Sequence, residues 1–255
     1  MAIAAPPGVP AGGRLDWRLG VLVAAADETP RAKSLVFDVP DWGGHRAGQH
    51  VDVRLTAEDG YQAQRSYSIA SAPEEPRLEL MVERLDDGEV SPYLTEELRV
   101  GDRIELRGPI GGYFTWTPAD GGPLVLVAGG SGIAPLMAMI RHRAAVGSRI
   151  PTTLLYSSRS FEDIIYRDEL DRLAAADPSL RVMHTLTRSQ PPDWTGYRRR
   201  IDVDMLADAL GVPAAGSLAY VCGPTRLVEN VATDLLTLGF AAHRVKTERF
   251  GPTGG

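Results

Sequence analysis

A single cysteine, Cys222, stands in a chain of 255 residues, and that scarcity removes two classes of protein. A disulfide framework needs pairs of thiols, and an iron-sulfur cluster held by the protein needs about four thiolates. The chain therefore reads as intracellular and cytoplasmic. No stretch reaches the roughly 18 uninterrupted apolar residues of a membrane helix. The opening MAIAAPPGVPAGG has no basic residue and is broken throughout by proline and glycine, so residues 1–15 are expected to be a flexible tail rather than a signal peptide or a span. Cations are scattered along the chain rather than gathered into one run, and 27 Lys and Arg against 33 Asp and Glu leave a net charge of -6. That argues against a partner that is nucleic acid or an anionic membrane. The five histidines, His45, His50, His142, His184 and His243, fall without metal-ligand spacing. No metal site is expected, a hydrolase is disfavoured, and most of these imidazoles are expected at the surface.

What is present divides into two halves, and the length suits two moderate domains. From Asp16 to Thr117 short alternating runs (WRLGVLVAAAD, KSLVFDV, HVDVRLT, RSYSIAS, RLELMVERL, DRIELRG) are separated by Gly, Pro and Asp. Such spacing predicts an antiparallel β-barrel over 16–117. Within it SPYLTEEL offers Ser91 as an N-cap, proline at the first helical position and early acids, so a short helix is expected. TPADGGP, from Thr117 to Pro123, reads as a linker. After it the periodicity changes: PLVLVAGG, TTLLYSSRS, RVMHTLTR and SLAYVCGP read as buried strands, alternating with helical patterns beginning at Ile133, Phe161, Asp202 and Thr225. This predicts an α/β doubly wound parallel sheet over 118–255.

The crossover VLVAGGSGIAP puts Gly129, Gly130 and Gly132 between a strand and its helix, where backbone can approach a pyrophosphate. The signal is incomplete, since Pro135 stands where the dinucleotide fingerprint wants a small residue and Ile133 where a nucleophile elbow needs glycine. A tight turn without a ligand is the competing reading. The next strand ends in Ser157, Ser158 and Arg159 rather than in an acid, which suits a 2′-phosphate, and Arg188 at the end of the third strand can add a second cation. Ordinary solvated arginines are the alternative. Cys222, followed by Gly223 and Pro224, lies at the end of the fourth strand, facing the same crevice. With no histidine beside it in sequence, its default role is packing.

Taken together and in order, RSYS, GEVSPYL, GPIGGYF, GGSGIAP, YSSRS and YVCGP resemble the ferredoxin-NADP reductase family across about residues 16 to 250. The resemblance implies a flavin barrel followed by a nicotinamide-nucleotide domain, with hydride passing from NADPH, or NADH, to the flavin. It implies Arg65 on the flavin phosphate, Tyr67 against the ring and ribityl, Ser68 beside N5, and Gly88, Val90 and Ser91 around the pyrophosphate. The pyrophosphate helix favours FAD over FMN. Gly130, Gly132, Ser158, Arg159, Arg188, Cys222, Gly223 and Pro224 fall to NADPH. Ser68, Cys222 and Glu248 fall near the transfer itself, and Phe250 is the candidate ring cover, although five residues follow it where plant-type members end. Electrons are then expected to leave for a separate acceptor, such as a ferredoxin or an oxygenase component. A free flavin, a quinone, a ferric chelate or a haem protein is the alternative within redox chemistry. A non-catalytic nucleotide-binding regulatory module is the alternative of another class.

Overall fold

The computed structural model describes residues 15–211 and 216–250. Apart from Leu15, the expected N-terminal tail lies outside the described residues, as do the residues after Phe250.

The alternating runs of the first half become six antiparallel strands: β1 (Arg18–Thr29), β2 (Ala32–Asp38), β3 (His50–Thr56), β4 (Gln62–Ser68), β5 (Leu78–Glu83) and β6 (Arg103–Ile110). Their order is β4-β3-β6-β1-β2-β5. The two outer strands meet where Ile69 bridges Leu80 and the Ala70 N–H donates to the Glu79 carbonyl at 2.8 Å. That contact closes the barrel at the end of β4. Leu22, Leu35, Phe37, Val51, Val53, Ile69, Leu80, Val90 and Leu106 fill the interior.

The second half is a five-stranded parallel sheet, β7 (Leu124–Gly129), β8 (Thr152–Ser158), β9 (Leu180–Leu186), β10 (Leu218–Pro224) and β11 (Val245–Phe250), in the order β11-β10-β7-β8-β9. Helices α1 (Ile133–Ala145) and α2 (Arg167–Ala176) cover one face, and α3 (Val203–Leu210) and α4 (Thr225–Thr237) the other. Buried on both faces, β7 and β10 have room for neither water nor polar alternation. β11 is absent from the four strands read off the sequence, because VKTERF carries charge and β-branching on a half-buried edge instead of an apolar run.

Helix α1 is buried almost all round, from Ile133 to Ile140, because it lies between the two halves. One core joins Leu136, Met137 and Met139 of α1 to Ala47, Ala70, Phe114 and Trp116 of the barrel half. A helix apolar on every side must be covered on every side.

Three local expectations are corrected. Ser91 does not cap: its Oγ accepts from the Leu85 N–H at 3.0 Å, and the helix that follows is a single π turn over Tyr93–Glu97. The second helix begins at Arg167 rather than at Phe161, because Ser160 and Asp163 build a side-chain-capped turn and Tyr166 sits in the left-handed region at φ 59. The histidines are not mainly surface groups. His45 and His142 are buried, with Nε2 of His45 3.0 Å from the Ser71 carbonyl and Nδ1 of His142 2.8 Å from Glu74, while His50 and His184 are half-buried.

Candidate functional site

Strand β4 carries Arg65, Tyr67 and Ser68 in its C-terminal half. Arg65 is 58% exposed and only loosely held: Nη2 lies 3.8 Å from Glu89, and Nη1 donates to the Gln64 carbonyl at 2.7 Å. Tyr67 is half-buried against the barrel core, and burial pushes its phenol upward, so the ring is a neutral apolar face. The turn before the π helix is drawn tight by the Gly88 N–H, which donates to the Leu85 carbonyl at 2.9 Å. Val90 points into the barrel core and is fully buried, leaving only its backbone to meet a ligand.

Across the seam, Ser68, Cys222 and Glu248 gather around a residue the sequence reading left at the surface. In the β3–β4 register Ser68 faces His50. Nδ1 of His50 lies 4.0 Å from Glu248 Oε1. Glu248 in turn faces Cys222 in the β10–β11 register. Burial pushes the Glu248 carboxyl up to about 7, and its Oε2 is buried with no hydrogen-bond partner among the described residues. Burial also lowers the His50 imidazole, so this pair is not a settled ion pair near neutral pH. Cys222 is buried in the core shared by the halves; burial, and then the Glu248 charge, push its thiol well up. It is a neutral packing thiol, not a nucleophile. No signal in HVDVRL marks His50, since its partner lies 198 positions later in the chain and reaches it only through the fold.

A glycine turn over Gly130–Gly132 follows β7. Gly130 has φ +53, its carbonyl accepts from the buried Tyr156 hydroxyl at 3.1 Å, and a Cβ added there would lie 3.8 Å from Glu83 Oε2. Gly132 is required for a reason beyond ligand access: a Cβ would stand 2.2 Å from the Cys222 carbonyl oxygen. The turn is thus packed directly onto the backbone of β10. At the ends of β8 and β9 the backbones of the two expected arginines meet, the Arg188 N–H donating to the Arg159 carbonyl at 2.8 Å. Both side chains are exposed, with no side-chain hydrogen bond or ion pair among the described residues. Ser158 is buried beside them. Phe250 ends β11 opposite Pro224 and is 37% exposed, while Gly223 faces Arg249.

Two family models match in the same order as the two sheets: an oxidoreductase FAD-binding domain over residues 21–115 and an oxidoreductase NAD-binding domain over 126–233. A ferredoxin-NADP reductase B of Sorangium cellulosum is 35% identical over 240 residues, covering 90% of this chain and 96% of that protein. The chain belongs to the ferredoxin-NADP reductase family. An NADH-cytochrome b5 reductase 1 of Aspergillus terreus is 33% identical over 205 residues, or 77% of this chain and 68% of that one. Among solved structures, the FAD/NAD-binding domain of a nitric oxide dioxygenase from Vibrio cholerae superposes with a TM-score of 0.82 at 26% identity, covering 92% and 99% of the two chains. As a member of this family the chain is an oxidoreductase built on FAD and a nicotinamide nucleotide. Among the described residues no helix is long and apolar enough to cross a membrane.

Proposed function

We propose that the protein takes a hydride from NADPH onto FAD and passes the electrons to a separate acceptor protein such as a ferredoxin or an oxygenase component. The observation that carries this reading is the gathering of Ser68, His50, Glu248 and Cys222 where the ends of the parallel strands meet the end of β4. FAD, when bound, supplies a ring that accepts two electrons from a nicotinamide and releases them singly or as a pair.

The residues present fit such a group. Arg65, whose exposed pairing with Glu89 is worth little, can turn its guanidinium to a phosphate. Tyr67 offers an apolar ring face, and Ser68 a hydroxyl within the same strand. Glu248 Oε2, buried without a protein donor, can accept from a ligand amide or hold a proton. The neutral Cys222 thiol excludes water behind it. Arg159 and Arg188, adjacent through their backbones and free at their side chains among the described residues, can turn two guanidiniums to a 2′-phosphate, which favours NADPH, while Gly130 and Gly132 let the backbone approach the pyrophosphate. Relatives named for a ferredoxin and for cytochrome b5 support a protein as the acceptor.

The test is the visible spectrum of the purified protein before and after anaerobic addition of NADPH or NADH. A yellow protein bleached faster by NADPH is expected; a protein that takes up no FAD sinks the reading. Replacing Arg159 and Arg188 by alanine is expected to raise KM for NADPH by about tenfold or more, the loss of roughly one charge-assisted hydrogen bond, and to leave NADH unaffected. Equal effects on both nucleotides would remove the 2′-phosphate from the assignment.

A further inference from the structure

Arg141, near the end of α1, reaches out of its own half of the molecule. Its side chain is 16% exposed, and its guanidinium grips three separate segments. Nε and Nη2 donate to the two carboxylate oxygens of Glu169 in α2 at 2.9 and 2.6 Å. Nη1 donates to the Ala70 carbonyl at 2.9 Å and lies 2.9 Å from Glu79 Oε1 in β5. Its Cζ stands 4.8 Å from the centre of the Tyr166 ring, whose hydroxyl donates to that same Glu79 oxygen at 2.7 Å. Ala70 and Glu79 are the residues at which the barrel closes. They directly follow and oppose the strand that carries Arg65, Tyr67 and Ser68. One end of α1 therefore holds the end of the flavin strand, and the other end emerges from the Gly130–Gly132 turn.

We propose that Arg141 is a positioning residue for hydride transfer: through α1 it holds the nucleotide turn in register with the flavin strand, so that the two reacting rings meet. The inference rests on the function proposed above. Reacting atoms must lie within about 3.5 Å, and a displacement of about 1 Å can cost on the order of 100-fold in rate. A planar guanidinium fixes three acceptors in three directions, whereas an ammonium is a point charge on a flexible stem.

The experiment uses the full-length FAD-loaded protein and the variants Arg141→Lys, Arg141→Met and Glu74→Gln. The last neutralises, and so weakens, the 2.8 Å contact between Glu74 and Nδ1 of His142, the next residue on the same helix and at the same seam. Flavin retention, calorimetric affinity for 2′,5′-ADP, and the rate of anaerobic bleaching at saturating NADPH are measured, with the long-wavelength absorbance that reports stacked rings. Arg141→Lys is expected to keep its flavin and its affinity for 2′,5′-ADP, to bleach at least about tenfold more slowly with KM little changed, and to lose the stacking absorbance. Glu74→Gln is expected to bleach as the wild type does. Should Arg141→Met fail to fold, the lysine variant carries the test alone. Wild-type bleaching in Arg141→Lys overturns the inference, and so does equal slowing in Glu74→Gln, which would mean general loosening of the seam. A wild type that does not bleach sinks the functional reading and this inference with it; a wild type that bleaches no faster than Arg141→Lys sinks this inference alone.

Discussion

Glu248 sits in an environment that its type alone does not imply. Burial holds its carboxyl at about 7, so it is protonated below that pH and ionised above it. A carboxyl raised by folding contributes stability that is complete at low pH and lost as pH rises through the folded value. Glu248→Gln should therefore be more resistant to urea than the wild type at pH 8.5, with the difference vanishing below about pH 4.5, near the unfolded value of a glutamate. The same variant should flatten the dependence of flavin bleaching on pH between about 6 and 8; a profile identical to the wild type would detach Glu248 from the transfer. Arg65 makes a simpler prediction. Its alanine variant should hold FAD more weakly by about 2 kcal/mol, roughly thirtyfold in the dissociation constant, read by fluorescence as flavin is released.

At the scale of elements, the close packing of the nucleotide turn on β10 gives a sharp contrast between two glycines. Gly132→Ala drives a Cβ into the Cys222–Gly223 backbone, with no flexible side chain among the nearest atoms to yield, so a loss of about 1–3 kcal/mol is expected. Gly43→Ala meets nothing within 4 Å and should be close to neutral. Thermal melting of both variants checks the pair. Except for charged, half-buried β11, the strands were legible in sequence because period-two alternation, apolar runs and Gly/Pro punctuation are local signals, and so was α4, whose apolar spacing needs no outside help. The start of α2 was not. FEDIIYRDEL has helical spacing, but the Tyr166 hydroxyl bonds Glu79 and Ser34 and its N–H donates to Glu28 at 3.3 Å, all from the barrel half. Those contacts hold the residue outside the helix. Likewise Arg65, Tyr67 and Ser68 could be read as a group within one short stretch, and Arg159 with Arg188 through the rule that strand ends share a crevice. His50 and Arg141 could not, because each acquires its meaning from partners on another element.

The whole molecule is bound by one core that ignores the division between its sheets. Phe114 stacks edge-on against Tyr220 at 5.3 Å, the Tyr220 hydroxyl donates to the Thr115 carbonyl at 2.8 Å, and Lys246 Nζ reaches both Thr115 and Tyr220. Scanning calorimetry should therefore show a single transition whose calorimetric and van't Hoff enthalpies agree; two separated transitions would mean that the halves unfold independently.

For protein engineering, this shared core makes the obvious cut the wrong one. The segment from Thr117 to Pro123 invites a splice between the barrel of one reductase and the nucleotide sheet of another. A chimera joined there would set a foreign α1 against Ala47, Ala70, Phe114 and Trp116, and would strand Glu79 beside whatever replaces Arg141. On the 2′-phosphate role proposed above, a change of nucleotide preference does better to alter only Arg159 and Arg188, which follow β8 and β9 at the surface and lie outside that core.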